Sequence, residues 1–325
     1  MKNKQIKLTK VDEKLLAYLY HNGHLPFSKI AKATKLSRDQ VEYRINKYVR
    51  EGLIKGFFTL FDYSKIGMSY LGLILLKFEK HSALKKFEEK VKGSKNVLSW
   101  GRAHGQYDVY IDGIFKDEKD LANFVSSLFN DKEIQLQDYL MLNPYYSELF
   151  PLKFFYKNSG ESFNLINQEV SSKVKLDERD KIILKEISNN ARDRLVDIAV
   201  KAKISAELAH YKLKKLEREK VIVGSRLSFD MSKLGYFFTV VLIHLPNMTR
   251  KNQEKLKNFG KQNKYINGLG FVFNKPNCYI QFFHKTETEL RKGIDELRNT
   301  FSDEKLDLEI VFIEEEKLID TLPFL

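Results

Sequence analysis

The sequence predicts an α+β protein: a winged or helix-turn-helix domain followed by a ferredoxin-like βαββαβ domain, with the pair repeated in tandem. The first observation is an internal repeat, because a shift of 168 positions aligns residues 30–56 with residues 198–224 without a gap. The identical pairs include Ile30 and Ile198, Ala31 and Ala199, Ser37 and Ser205, Tyr43 and Tyr211, Lys47 and Lys215, and Gly56 and Gly224. The second observation is a change of apolar period, from helical before each of these glycines to strand-like after it.

A chain of 325 residues is long enough for two to four domains, each with its own core. We place helix-turn-helix domains at residues 1–56 (the first head) and 175–225 (the second head). Ferredoxin-like domains follow at 57–150 and 226–325, and residues 151–174 are the predicted linker. Around this linker we expect the aromatic stretch from Tyr145 to Phe155 to pack on a sheet and the polar stretch from Asn158 to Ser162 to form the hinge.

Composition narrows the class of protein. The formal net charge of +13 and the sequence pI near 9.4 favour a polyanionic partner such as nucleic acid. The single cysteine, Cys278, excludes an intramolecular disulfide and a multi-cysteine metal site, which indicates a reducing compartment. The longest apolar run, Tyr70 to Leu76, is too short to span a bilayer. We therefore expect a cytoplasmic protein without membrane contact.

Cap residues mark the helices of the first head. Thr9 and Asp12 form a capping-box-like pair before the first helix, and Ser37 and Gln40 form an S-x-x-Q cap before the third. Pro26 is suited to the first turn of the short helix between them. The order of three helices with a tight turn before the third is typical of a helix-turn-helix.

The third helix of the first head carries polar and basic side chains outside its buried face. Arginine can donate two hydrogen bonds to guanine, glutamine can pair with adenine, and lysine or arginine can hold phosphates. An isolated helix with this pattern is more often a solvated face, but the three-helix context favours a DNA-reading helix. The predicted contacts with double-stranded DNA are Ser37, Arg38, Gln40, Tyr43, Arg44, Lys47 and Arg50.

The third helix of the second head, predicted from Ser205 to Glu219, keeps charge but loses two of these side chains. Ala206 replaces Arg38 and Leu208 replaces Gln40. The remaining candidates for DNA contact are His210, Tyr211, Lys212 and Lys215. We therefore expect unequal heads, with sequence preference in the first and non-specific grip or none in the second.

Each head is followed by the order strand, helix, strand, strand, helix, strand, which is the split ferredoxin-like arrangement. In the first copy the strands are predicted at 70–78, 97–103, 107–115 and 135–142. In the second copy they are predicted at 237–245, 268–273, 277–284 and 306–313. A tight hairpin, His104 to Gln106, joins the two central strands of the first copy.

These motifs together resemble the Lrp/AsnC family of bacterial and archaeal transcription regulators. The features are a head of the form L-x-x-x-D-x-x-x-L, then IA, LS, a basic helix and GLIKG, and later H-G-Q-Y-D at the central hairpin of a RAM-type ferredoxin-like domain. The residues that carry the resemblance are Leu8, Asp12, Leu16, Ile30, Ala31, Leu36, Ser37, Val41, Arg44, Ile45, Gly52, Ile54, Gly56, Gly67, Gly105, Tyr107 and Asp108.

The resemblance implies a small-molecule effector, such as an amino acid, near that hairpin. Gly105, Gln106, Tyr107 and Asp108 are then the effector-binding candidates, with Gly105 allowing close backbone approach and Asp108 able to pair with an ammonium group. The alternative is that Gly105 only turns the hairpin and Asp108 only caps it. The second copy has Asn274-Lys275-Pro276-Asn277 at this place, so two equivalent effector sites are not expected.

The resemblance also implies dimers in which one sheet packs on another. A chain with two copies can close such a pair internally as a pseudo-dimer, or each half can pair with another chain in a homodimer. The sequence leaves both arrangements open.

Two other functions remain as alternatives to a non-enzymatic regulator. Siroheme decarboxylases resemble paired copies of the same architecture, but their His-Cys-Tyr-Arg-like stretch is replaced here by residues 99–102 (SWGR) and 269–272 (LGFV). An interaction module that has lost DNA binding is the second alternative. The seven histidines show no zinc-protease spacing, and we expect neither a metal nor a cofactor.

Overall fold

The computed structural model describes residues 5–156, 162–164, 166 and 173–325. Within the predicted hinge, Asn158 to Glu161 lie outside the described residues. The described chain divides into two compact units. The head unit consists of Met1–Asp62, Phe150–Phe163 and Val174–Tyr236, and the sheet unit consists of Tyr63–Leu149, Asn164–Lys173 and Phe237–Leu325.

The helices and strands follow the predicted tandem order, and the α+β fold is confirmed. The helices are α1 (Lys10–Tyr20), α2 (Phe27–Thr34), α3 (Arg38–Arg50), α4 (Ala83–Val91), α5 (Glu118–Phe129), α6 (Glu178–Asn189), α7 (Leu195–Lys201), α8 (Ala206–Arg218), α9 (Arg250–Gln262) and α10 (Glu287–Thr300). The strands are β1 (Ile54–Phe61), β2 (Tyr70–Phe78), β3 (Val97–His104), β4 (Val109–Phe115), β5 (Leu136–Leu142), β6 (Pro144–Leu149), β7 (Phe163–Asn164), β8 (Ile222–Phe229), β9 (Phe237–His244), β10 (Ile266–Val272), β11 (Cys278–His284) and β12 (Asp307–Leu318).

The head unit contains both three-helix heads, α1 to α3 and α6 to α8. Each head is followed by one strand, and these two strands, β1 and β8, pair antiparallel as a two-stranded sheet. Leu15, Leu16, Ile30, Val41 and Ile45 are buried in the core of the first head, as their helical spacing predicts.

The sheet unit contains both ferredoxin-like copies in one continuous sheet. Its strands lie in the order β5-β2-β4-β3-β12-β9-β11-β10-β6, so the first copy (β5-β2-β4-β3) and the second (β12-β9-β11-β10) have the same internal order. Alternate residues point to opposite faces. Ile74 and Leu76 therefore join the core under α4 and α5, whereas Leu73 and Leu75 join a second cluster with Val240, Leu242 and Tyr279 of the other copy.

The question of how the two copies pair is answered by β3 and β12. Strand β12 pairs with β9 over Asp307–Ile313 and with β3 over Phe312–Leu318. In the first copy, β5 pairs with β2 and the following strand β6 pairs with β10. Each copy therefore donates a strand to the edge of the other copy, and the pseudo-dimer of sheets is closed within one chain.

One stretch differs from its sequence interpretation. Residues 144–149 were predicted only to pack on a sheet, because their aromatic residues interrupt any alternating pattern. They form strand β6, which is hydrogen-bonded along β10 from Gly268 to Val272. Leu149, which pairs with Gly268, is buried. The strand depends on a partner more than 100 residues away, which explains why local pattern did not reveal it.

Candidate nucleic-acid interface

The third helices α3 and α8 begin at matched serine caps. The Ser37 hydroxyl accepts a hydrogen bond from the backbone N–H of Gln40 at 3.1 Å, and the Gln40 side chain accepts one from Ser37 N–H at 3.0 Å, so the predicted capping box is present. In the second head the Ser205 hydroxyl accepts from Leu208 N–H at 3.2 Å, without the reciprocal side-chain bond. Both caps satisfy N–H groups that would otherwise be left free at the start of a helix.

The exposed surface of α3 contains most of the predicted DNA contacts. Ser37, Arg38, Gln40 and Arg50 are exposed, Tyr43 keeps 64% of its surface in solvent, and Lys47 is half-buried with its ammonium 5.3 Å from the Tyr48 ring centroid. A tyrosine that is so exposed gains little from burial in the fold, so it is free to contact a partner.

Arg44 makes a contact inside the head that its position on the helix did not predict. Its guanidinium pairs with the carboxylate of Asp12, a residue of α1 that is 3% exposed. Burial raises the pKa of Asp12, but hydrogen bonds from Thr9, Tyr48 and Arg44 outweigh this effect and leave the pKa below its usual value. Arg44 therefore fastens α3 to α1 and neutralises a buried carboxylate.

Lys212, which stands 168 positions after Arg44, does the same in the second head. Its ammonium lies 2.9 Å from Asp180, the equivalent of Asp12, and 2.7 Å from Asp177. Burial alone would lower the pKa of Lys212, whereas the two carboxylates raise it, and the hydrogen bond from Lys212 lowers the pKa of Asp177 to about 2. Arg44 and Lys212, both predicted as DNA contacts, thus form equivalent ion pairs inside their own heads.

The remaining candidates in the second head lie on its surface. His210 is exposed, Tyr211 is 60% exposed and Lys215 is half-buried. Lys214 and Arg218 are also exposed, with the Lys214 ammonium 2.7 Å from Glu217. The surface of α8 is therefore basic, but apolar residues, Ala206 and Leu208, replace the base-reading types in its first turn.

One exposed residue on α3 was missing from the sequence prediction. Asn46 lies three residues after Tyr43 and four before Arg50, so the three side chains share one face of the helix, and all three are exposed. The helical spacing from Tyr43 would have identified Asn46. Its equivalent in the second head is Lys214.

The hairpin predicted to bind an effector is hydrogen-bonded to strand β2 through Asp108. The Asp108 carboxylate accepts hydrogen bonds from Phe78 N–H at 2.9 Å and from the Lys77 ammonium at 3.1 Å. Gly105 has a φ of +117°, and the Gln106 amide lies 3.4 Å from the Tyr107 hydroxyl. Burial raises the pKa of Tyr107 to about 12. Gly105 thus lies at the turn and Asp108 is bonded to strand β2, and effector binding at this hairpin stays a prediction.

Within the part of the chain that the structure describes, there is no cluster of three or more His, Cys, Asp or Glu residues arranged to hold a metal ion. Over the same residues, no helix has both the length and the apolar surface needed to cross a membrane.

Comparisons with known proteins agree with this architecture. A family model described as winged helix-turn-helix DNA-binding matches residues 8–55. The DNA-binding transcriptional activator DecR of Escherichia coli strain K12 is 30% identical over 125 residues, which are 38% of this chain and 82% of DecR. An uncharacterized HTH-type transcriptional regulator of Pyrococcus furiosus is 25% identical over 125 residues, or 84% of its length.

The chain belongs to the Lrp/AsnC family of transcription regulators. Each of these Lrp/AsnC relatives aligns with only 38% of the chain. The repeated architecture explains this share, because one head and one ferredoxin-like copy make up less than half of the sequence.

A solved structure shares the fold of the whole tandem chain. The crystal structure of the siroheme decarboxylase NirDL covers 97% of this chain and 96% of its own, with a TM-score of 0.63 and 14% sequence identity. At this identity the likeness establishes a common fold and leaves function to the residues of each protein.

Proposed function

We propose that the protein is a sequence-specific DNA-binding transcription regulator whose first head reads the major groove through α3. The observation that carries the proposal is the exposed face of α3, where Arg38, Gln40, Tyr43 and Asn46 surround the start and middle of a capped, well-packed helix. In helix-turn-helix proteins the N-terminal residues of this helix contact base edges. The names of the relatives, which describe HTH-type regulators and a DNA-binding activator, support the same class of function.

The proposed contacts differ from the sequence prediction by the removal of Arg44 and Lys212 and by the addition of Asn46 and Arg218. The predictions for Ser37, His210 and Tyr211 are unchanged. Arg44 and Lys212 are assigned to the internal ion pairs and removed from the DNA-contacting set, because a base contact would leave Asp12 or Asp180 buried without its partner. We assign base reading to Arg38, Gln40 and Tyr43, with Asn46 added. Lys47 and Arg50 hold phosphates in this proposal, and Lys215 and Arg218 do so in the second head.

The experiment removes charge from the proposed face and, as a control, from a surface of the sheet unit. The variant Arg38→Ala, Arg50→Ala loses two exposed cations of α3, and the control Lys85→Ala, Lys119→Ala loses two exposed cations of α4 and α5. Fluorescence anisotropy is measured with a duplex enriched by the wild-type chain from a random pool. We expect a loss of about 30-fold or more for the first variant and less than about 3-fold for the control. Equal affinities for the two variants would contradict the proposal.

The shared fold with NirDL makes tetrapyrrole binding the competing activity to test in the same sample. In the strand that corresponds to the decarboxylase marker, Trp100 is buried with its ring centroid 5.7 Å from that of Phe87, and the Arg102 guanidinium lies 2.9 Å from Glu88. Trp100 is therefore part of the core, and Arg102 is held in an ion pair. We expect no Soret absorption after purification and none retained after incubation with siroheme and gel filtration.

A further inference from the structure

The strands that follow the two heads pair around a centre of pseudo-twofold symmetry. Phe58 of β1 lies opposite Arg226 of β8, and these residues are exactly one repeat of 168 positions apart. On either side, Phe57 lies opposite Leu227 and Thr59 lies opposite Ser225, which are the same two repeat positions exchanged. The two heads are thus related like the two halves of a symmetric dimer, although one continuous chain contains both.

The core of the first head includes residues that follow the second head. Leu227 of β8 and Leu234 are buried in the same cluster as Leu15, Leu19 and Leu53, and Phe229 packs against that cluster. The Phe229 ring stacks on Tyr20 with centroids 6.1 Å apart. Separation of the heads would expose these apolar side chains to water, at a cost that grows with the area exposed.

Hydrogen bonds from the second head also hold the α1–α2 loop of the first. The Arg192 guanidinium donates to the backbone oxygens of Gly23 at 2.8 Å and Leu25 at 3.1 Å, and it lies 4.4 Å from the Phe27 ring centroid. The repeat equivalent of Arg192 is His24, whose backbone N–H donates to the Ser225 hydroxyl at 3.0 Å. Each head therefore contacts the other through the same repeat position, Arg192 in the second head and His24 in the first.

Two further hydrogen bonds complete this attachment. The Thr59 hydroxyl donates to the Ile187 carbonyl at 2.7 Å, and Ala191 N–H donates to the Phe57 carbonyl at 2.7 Å. A change in the separation of α3 and α8 would break both bonds, and the loss of the Thr59 bond is costly because that bond is buried. The spacing between the two third helices is therefore fixed by the fold.

We infer that one chain binds one duplex that carries two unequal half-sites at a single fixed spacing. This inference rests on the proposed function, since it concerns the DNA that the heads recognise. The first half-site is specified by Arg38, Gln40 and Tyr43. The second half-site is bound by the basic surface of α8, whose first turn has Ala206 and Leu208 in place of Arg38 and Gln40, and its sequence is weakly specified.

The experiment begins with selection of duplexes by the full-length chain from a pool with about 30 random base pairs, long enough for two half-sites one helical turn apart. Hydroxyl-radical footprinting of the enriched duplex then maps both contacted segments, and sedimentation of the complex counts chains per duplex. We expect one chain per duplex and two protected segments, of which only one has a defined sequence.

A spacing series then tests the fixed separation in the wild-type chain, with no variant that could fail to fold. Insertion of about 5 base pairs between the protected segments moves the second segment to the opposite side of the helix, and insertion of about 10 restores its side but not its distance. Footprinting is repeated on both duplexes. We expect the second protected segment to keep its distance from the first half-site after either insertion, and the affinity to change by less than about 3-fold, because the heads cannot follow the shifted sequence and the second head reads little of it. A flexible pair of heads would instead give protection at several distances from the first half-site.

The outcomes separate the inference from the proposed function. A pool that yields no enriched duplex would overturn both. An enriched duplex that binds two chains, that shows two half-sites of the same sequence, or whose second protected segment changes its distance from the first half-site after an insertion would overturn the inference and leave the regulator function standing. One chain on an asymmetric site with strict spacing would support both.

Discussion

The two heads have the same framework and different surfaces. In both heads a basic residue of the third helix pairs with an acidic residue of the first helix: Arg44 with Asp12, and Lys212 with Asp180. Both heads also expose a tyrosine at the same repeat position, Tyr43 and Tyr211. The first turn of the third helix differs, because Arg38 and Gln40 become Ala206 and Leu208.

This comparison separates residues that hold a head together from residues that face a partner. A position that keeps its charge in both copies and lies in an internal ion pair serves the fold. Some surface positions have a hydrogen-bonding side chain in one head and an apolar side chain in the other. In the proposed function such a difference changes DNA recognition, while the head still folds. The second head thus serves as an internal control for the first. Each side chain assigned to the fold or to DNA contact in the first head can be compared with its equivalent in the second.

The largest effect is expected when the first turns of the two heads are exchanged. The variant Arg38→Ala, Gln40→Leu gives α3 the first turn of α8, and we expect about 100-fold weaker binding to the selected duplex, since two base contacts are each worth about 1–3 kcal/mol. The second head folds with Leu208 at this position and keeps its serine cap. Loss of the fold is therefore not expected, and circular dichroism would check it.

The reciprocal exchange supplies the matched control. The variant Ala206→Arg, Leu208→Gln gives α8 the first turn of α3, and we expect about 10-fold tighter binding to a duplex with two first-head half-sites. The measurement is a titration of both duplexes with both variants. If the two exchanges had the same effect, recognition would not lie in the first turn.

The next effect concerns the shared ion pair. Replacement Arg44→Ala leaves the buried Asp12 carboxylate without its cation, and we expect a loss of about 2 kcal/mol in the free energy of unfolding. Replacement Arg44→Lys should recover most of it, since Lys212 serves this role in the second head. Urea unfolding would measure both, with Arg50→Ala, an exposed residue of the same helix, as the control. A stable Arg44→Ala protein that cannot bind DNA would restore Arg44 to the base-reading set.

The ion pair also shows what the sequence could predict and what it could not. The caps at Thr9 and Ser37 and most strand positions follow from residues within a few positions of each other, and the repeat follows from direct alignment of the two stretches. The structure agrees with these predictions. The pair of Arg44 with Asp12 was not predicted because the two residues are 32 positions apart, and an arginine on a helix has the same local pattern whether it faces DNA or a buried carboxylate. Strand β6 and the exchange of edge strands depend on still longer separations.

A smaller effect is expected from His21, a buried residue of the first head. Its equivalent in the second head is Asn189, which does not titrate. Burial, together with the nearby charge of Arg226, lowers the pKa of His21 to about 4. Between pH 6.5 and pH 4 the unfolded chain therefore binds a proton that the folded chain does not, so acidification through this range favours unfolding. By pH 5 this should cost about 1–2 kcal/mol.

The test compares wild type with His21→Phe, which preserves the aromatic contacts of His21 with Tyr20 and Phe163. Urea unfolding at pH 7, 6 and 5 should show a smaller loss of stability in the variant. Parallel pH curves for the two proteins would mean that another group dominates the acid response.

The smallest effect is expected at Lys47 and Lys215, which occupy the same repeat position and are half-buried in their heads. As phosphate contacts they add affinity without sequence information, so Lys47→Ala and Lys215→Ala should each weaken specific and non-specific duplexes by a similar, few-fold factor. Each replacement should also reduce the slope of log K against log salt concentration by about 1, because one fewer counterion is released. A slope changed by Lys47→Ala alone would mean that the second head does not touch the duplex, and the unequal heads would then be one reading head and one purely structural copy.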